Sequence, residues 1–287
     1  MERFLRLMRI LLIRKLSERA RRVVLESGKV GDHTMTLFLL SKELKAIGED
    51  LAPHFLREIL VGAGRRDTGY AEFLHHVGDV RTLANFTGND FMSSVLQISR
   101  RQQLNEVVEL LASTPPQKRI HHSDDVESRT PEQDYVPLGV RKSLARKPNL
   151  QTIEKMLNEQ DPQVVRHLLM NSRTTEDFVV KMASLRPTSQ EVLEEIFVNQ
   201  RWSSRSRVRK ALVFNPYTPP RATHALLPML LMQDLMEVTL SPSLHPNVKS
   251  AAKRFIIHRF SAMAPGQKAE FSRSYSQRLK RIFLQVG

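Results

Sequence analysis

The chain has 287 residues, a hydrophobic content of 41%, no cysteine and a formal net charge of +14. That length and apolar content are enough for one elongated domain or two ordinary ones. Without thiols there is no disulfide framework, thiolate zinc site, cysteine-ligated iron–sulfur cluster or cysteine nucleophile, and a reducing compartment, here the cytoplasm, is the expected location. The charge is uneven: residues 1–139 hold 20 Lys and Arg against 19 Asp and Glu, whereas residues 140–287 hold 24 against 11. From Phe197 onward the acids are Asp234, Glu237 and Glu270, against 15 basic residues. Such a field favours an acidic protein, nucleic acid or an anionic phospholipid surface as partner; its plainer role is a solvated, solubilising surface.

The chain opens with MERFLRLMRILLIRKLSERARR, which places Phe4, Leu5, Met8, Leu11, Leu12 and Leu16 along one side of a helix, with arginines elsewhere. Its apolar run, Ile10 to Ile13, is far short of the ~20 residues of a membrane span. The segment reads as a capping helix, and alternatively as a basic helix resting on an anionic bilayer. An organellar transit peptide is disfavoured by Glu2 and Glu18. Residues 1–112 then show helical apolar spacing, as in Phe55 and Leu56 into Ile59 and Leu60, and predict four to six helices. Breaks are expected at Gly28 to Asp32, at Ala52 and Pro53, at VGAGRRDTG (Val61 to Gly69) and near Thr87 to Asn89. VGAGRRDTG has neither a β-branched strand before it nor a Walker lysine, so its glycines read as a turn rather than a phosphate loop.

Residues 113–139, with four prolines and a mixed-charge middle, read as a linker or long loop. A helical region over 140–262 and a basic amphipathic helix over 263–287 complete the expected organisation. The adjacent His75 and His76, and HHSDD at His121 to Asp125, do not make a metal site: neighbours on a helix point apart and the second set lies in the linker. No metal and no cofactor are expected.

Beyond the linker four ungapped windows share a pattern: VRKSLARKPNL from Val140, VVRHLLMNSRT from Val164, VVKMASLRPTS from Val179 and VRKALVFNPYT from Val208, spaced 24, 15 and 29 residues apart. Each begins with valine, carries basic residues second or third and runs into a second apolar segment, giving helix, turn, helix. Leu144, Leu168 and Leu212, fifth in their windows, are expected to face a shared core. Ser189 and Thr218 suit helix N-caps, Pro219 suits a first helical position, and Glu176, Asp177 and Glu191 complement the helix dipole. Units of this kind bury their apolar faces by stacking on one another.

The window ending NPYTPP resembles the leucine-rich repeat variant, with its V-R-x-x-hydrophobic-x-x-N-P-x-T-P pattern, and HEAT-like helical arrays more generally, over roughly residues 140–260. The resemblance implies an all-α fold, an α-solenoid of stacked helix pairs preceded by an N-terminal helical region. Only the Val208 copy is complete; the Val164 copy keeps Asn171 and Thr174.

The densest basic run, RWSSRSRVRK, supplies the candidate partner-binding residues Arg201, Trp202, Arg205, Arg207, Arg209 and Lys210. On a helix beginning near Ser203, Arg205 and Arg209 share a face. They either contact a partner's anionic groups or pair with acids of a neighbouring unit such as Glu191, Glu194 and Glu195. The preferred reading is a non-enzymatic scaffold whose basic C-terminal surface holds an acidic macromolecule, with no small-molecule substrate inferred. The alternatives are a HEAT-like nucleic-acid-binding protein or DNA glycosylase-like enzyme with Trp202 as stacking group, and peripheral membrane attachment through the terminal helices, the C-terminal one carrying Phe271, Tyr275, Leu279, Ile282 and Phe283 against Arg273, Arg278, Lys280 and Arg281.

Overall fold

A computed structural model describes residues 2–65, 67–119 and 136–284, with side chains from residue 12 to residue 282 within those spans. The described chain is all-helical. Its first part contains α1 (Glu2–Val30), α2 (His33–Ile47), α3 (Ala52–Gly64), α4 (Thr68–Val77), α5 (Val80–Thr87), α6 (Asn89–Arg101) and α7 (Asn105–Leu111). These are seven helices where the sequence predicts four to six. The additional breaks have local causes: Asp79 caps α5 by accepting from the Thr82 amide at 3.1 Å, and Gln103 adopts φ 57° between α6 and α7. Pro53 sits in the first turn of α3, where a missing N–H costs nothing, so it starts that helix. The predicted glycine turn at Val61 to Gly69 is shorter than expected, because α3 runs through Gly64 and α4 begins at Thr68.

The second part contains α8 (Leu138–Arg146), α9 (Leu150–Lys155), α10 (Pro162–Met170), α11 (Glu176–Ser184), α12 (Gln190–Val198), α13 (Gln200–Ser203), α14 (Ser206–Phe214), α15 (Pro220–Leu226), a 3₁₀ turn (Leu227–Met229), α16 (Met232–Leu240), α17 (Pro246–Ala262), α18 (Pro265–Ser274) and α19 (Ser276–Leu284). Residues 120–135, with His121 to Asp125, lie outside the described residues. Before them Lys118 donates its amide to Pro216 O at 3.0 Å, and after them α8 starts inside the predicted linker.

α8, α10 and α12 pack in succession, and α11, α14 and α16 do likewise beside them. This pairing explains the uneven window spacing: the Val140 and Val164 windows form α8 and α10 of one row, and the later two form α11 and α14 of the other. The hydrogen bonds also correct the register. Asn171 donates through Nδ2 to Ala145 O at 2.7 Å and Lys147 O at 2.9 Å, and Asn215 donates to Ala183 O at 2.8 Å and Leu185 O at 3.0 Å. For the acceptors to match, the third window must begin at Phe178 rather than Val179. Each asparagine also accepts from the amide two residues on, Arg173 at 3.0 Å and Tyr217 at 3.1 Å. Buried amides and carbonyls at helix ends need such partners.

The threonine three residues later has a role the sequence reading misses. Thr218 is not an N-cap. Its hydroxyl donates backward to Leu212 O at 2.6 Å, as Thr174 does to Leu168 O at 2.5 Å, and Pro219 occupies the N-cap of α15. Ser189 does cap α12, accepting from Val192 N at 3.3 Å. Leu168 and Leu212 are fully buried; Leu144 is half-buried at the open end of its row, where Ala145 fills the core position.

The two parts share one apolar core. α15 packs on α4 and α7, α17 packs on α3, and Arg254 of α17 pairs with Glu109 of α7. Gly78 marks the closest approach: a Cβ there would lie 2.6 Å from Ala225 Cβ and 2.7 Å from the Phe197 ring. α19 rests on α16 with Ile282 buried and Leu279 against the core, and Gln233 donates to the Tyr275 hydroxyl at 2.6 Å. Among the described residues no helix is long and apolar enough to cross a membrane.

Candidate functional site

The run from Arg201 to Lys210 does not form one helix. α13 ends at Ser203, Arg205 takes extended backbone at the N-cap of α14, and the helix expected from Ser203 begins at Ser206. The break separates Arg205 from Arg209 and distributes the six candidate residues among three environments.

Trp202 and Arg201 continue the carbonyl capping that Asn171 and Asn215 carry out elsewhere. The carbonyls of Leu169 and Asn171 at the end of α10 correspond to those of Ala145 and Lys147 at the end of α8. Trp202 Nε1 donates to Leu169 O at 2.8 Å, and Arg201 Nη1 reaches Asn171 O at 3.4 Å. Trp202 is only 2% exposed, with the guanidinium carbons of Arg201 and Arg205 over its ring at 4.5 and 5.5 Å. Its faces are therefore covered, and no surface is left on which a base could stack.

Arg205, Arg207 and Lys210 form the second group. Arg205 pairs with Glu176 at 2.9 Å, Arg207 with Asp177 at 2.6 Å, and Lys210 with Asp234 at 2.7 Å and Glu237 at 3.2 Å. These are acids of neighbouring helices, α11 and α16, and not the Glu191, Glu194 and Glu195 considered from sequence. Glu194 is occupied by Arg221 at 2.5 Å and Arg81 at 3.6 Å, and Glu195 by Arg166 at 2.6 Å. At solvent-exposed positions each pair contributes at most about 1 kcal/mol.

Arg209 stands apart. Its Nη1 donates to Ser204 O at 2.6 Å and lies 3.7 Å from Met229 Sδ, its Nε is buried without a partner, and among the described residues no carboxylate forms an ion pair with it. Burial lowers its pKa, while Glu72 acts in the opposite direction. With Arg201 it faces a cleft of about 460 Å³ between α1, α4 and the α13–α14 segment, lined also by Gly28, Glu72, Phe73, His76 and Gln200.

One wall of the cleft belongs to a histidine cluster. His33 Nε2 lies 3.0 Å from Asp79 Oδ2, its Nδ1 lies 2.7 Å from His76 Nδ1, and Gln200 Nε2 sits 2.7 Å from the same His76 atom. Two ring nitrogens at that distance share one proton, and the Gln200 amide presents oxygen or nitrogen according to which ring carries it. His75 turns the other way, its Nε2 2.9 Å from Phe197 O. Burial pushes His75 down to about 4 and His76 down to about 3, so both are neutral at neutral pH. The neighbouring acid Asp79 is held below its ordinary value by hydrogen bonds from His33 and Thr82, against the opposing effect of burial, which is the largest single influence. Among the described residues no group of three or more His, Asp or Glu side chains is arranged to hold a metal ion.

The sequence reading identified Arg201 and Arg209 but missed His33, Glu72, Asp79 and Gln200, which come from separate helices and carry no shared motif. Comparison with protein-family models, curated proteins and solved structures finds no match.

Proposed function

We propose that the chain is a non-enzymatic helical-repeat scaffold, an α-solenoid of the leucine-rich repeat variant or HEAT-like kind, that binds an acidic macromolecule through its basic C-terminal half. The observation that carries this reading is the state of α19. Arg278, Lys280 and Arg281, with Arg273 of α18, are exposed and make no ion pair among the described residues, while Leu279 and Ile282 of α19 are packed against the core. A helix held in this way presents its cations to solvent at fixed spacing, with Leu279 and Ile282 turned to the core rather than to a bilayer. The capping Asn residues, which repeat at equivalent places in both rows, support the repeat architecture. The covering of Trp202 counts against its use as the stacking group of the DNA glycosylase-like alternative.

The test is fluorescence anisotropy with a labelled DNA duplex and a labelled polyglutamate peptide, each at low and high salt, on the full chain and on a variant with Arg273, Arg278, Lys280 and Arg281 changed to glutamine. The reading expects salt-sensitive binding of at least one probe that the variant weakens. For DNA, the salt slope should fall by about 3 to 4 if each side chain meets a phosphate. Absence of binding to both probes at low salt, or equal binding by the variant, refutes it.

A further inference from the structure

The α13–α14 segment concentrates five cations, and three of them are neutralised by carboxylates of adjacent helices. The two that are not, Arg201 and Arg209, are the two that line the cleft. Arg209 is half-buried, and Glu72, the one acid lining the cleft, acts on it only at a distance without forming an ion pair. It uses few of its five donors: a backbone oxygen and a thioether contact leave its buried Nε unpartnered. The rest of the lining is suited to an organic body beside an anion. The half-buried Met229 provides apolar surface, Gln200 and the neutral His76 provide hydrogen-bonding groups, and Gly28 keeps one wall open, since a Cβ there would meet nothing within 4 Å. The volume, about 460 Å³, is that of a small-molecule site rather than of a macromolecular groove.

We propose that this cleft binds a small organic anion, its phosphate or carboxylate set against Arg209 and Arg201 on the side away from Glu72 and its apolar body lying on Met229. Charge-assisted bonds from a guanidinium suit both anionic groups, and the two are separated by experiment. This site is distinct from the surface of α19 and does not depend on it.

Trp202 is the chain's one tryptophan, and Arg201 lies 4.5 Å above its ring, so an anion drawing on Arg201 changes indole emission directly. The experiment titrates the full chain with phenyl phosphate, phenylacetate and, as the neutral control, benzyl alcohol, to about 10 mM, a range suited to ligands of this size. Saturable change with at least one anion and none with benzyl alcohol is expected; saturation by phenyl phosphate alone assigns a phosphate ligand, by phenylacetate alone a carboxylate, and by both the shared anionic chemistry. Arg209→Gln should weaken binding at least about tenfold. Gly28→Leu extends an apolar side chain toward the cleft from a helical position where a Cβ meets nothing within 4 Å, and should do the same with helical circular dichroism unchanged. The variant lacking the four basic residues of α18 and α19 should titrate like the parent chain. No saturation by either anion, an equal response to benzyl alcohol, or parental affinity in a folded Gly28→Leu chain overturns the proposal.

Discussion

Replacing Asn215 by alanine isolates what joins successive helices in the second row. The side chain is 1% exposed and makes three hydrogen bonds: to Ala183 O at 2.8 Å, to Leu185 O at 3.0 Å, and from Tyr217 N at 3.1 Å. At about 1 kcal/mol net for each, their loss amounts to about 3 kcal/mol, and carbonyls left buried without a donor raise the cost toward about 5 kcal/mol. Asn215→Asp provides a sharper comparison. It keeps an acceptor for Tyr217 but turns a carboxylate toward two carbonyl oxygens, so near neutral pH it should destabilise more than alanine does, with part of the loss recovered on acidification. Equilibrium urea unfolding followed by Trp202 emission measures both, provided the transition matches that seen by circular dichroism. Asn171→Ala breaks the equivalent set in the first row and should cost a similar amount. A loss below about 1 kcal/mol at Asn215, or an aspartate variant as stable as the parent, would refute the claim that these asparagines hold the rows together.

Other perturbations examine different links. Gly78→Ala introduces a methyl 2.6 Å from Ala225 and 2.7 Å from Phe197, and should cost about 1 to 3 kcal/mol in thermal or urea unfolding; a neutral result would mean the two parts of the chain do not pack as described. Leu212→Ala removes a fully buried side chain and should cost about 2 to 5 kcal/mol in the same assay. Arg205→Gln and Arg207→Gln break exposed pairs with Glu176 and Asp177 and should each change stability by less than about 1 kcal/mol. Burial holds His75 and His224 down to about 4 and His76 to about 3, so between roughly pH 6.5 and those values the unfolded chain binds protons that the folded chain refuses. Stability should therefore be intact above about pH 7 and fall on acidification, each histidine contributing up to about 1.4 kcal/mol per pH unit; a flat profile from pH 7 to 5 would contradict the burial of these rings.

Helix type was legible in the sequence, because apolar spacing and capping residues are local signals. The windows were legible too, but their register was not: Val179 and Phe178 both offer an apolar start, and only the carbonyls that receive Asn215 distinguish them. Thr218 misled for a related reason. A threonine before a proline fits an N-cap, yet its hydroxyl finds Leu212 O behind it first. The cations of the basic run were visible in the sequence, but the acids that neutralise three of them, Arg205, Arg207 and Lys210, arrive from α11 and α16. Nothing in the spacing of Glu176 or Asp234 announces such a contact. The cleft was the least legible feature, since Gly28, Glu72, His76 and Gln200 meet only through tertiary packing of α1, α4 and α13.

The third step of the first row shows how structure and site come to share residues. α12 ends at Asn199, which occupies the place of Asn171 and Asn215 but instead begins the single turn α13, its carbonyl accepting from Trp202 N at 3.0 Å and Ser203 N at 2.9 Å. The carbonyls at the end of α10 still require donors, and Trp202 and Arg201, carried forward by that turn, supply them. The substitution has a physical consequence that an asparagine would not bring. Arg201 caps at the longer distance of 3.4 Å and also lines the cleft, so the proposed anion would compete with Asn171 O for it. The indole, by contrast, bonds Leu169 O at 2.8 Å and is fully enclosed. Trp202 thus secures the row while Arg201 remains free to respond, which is why a change in the charge above the ring can be read in its fluorescence without unfolding the helices beneath it.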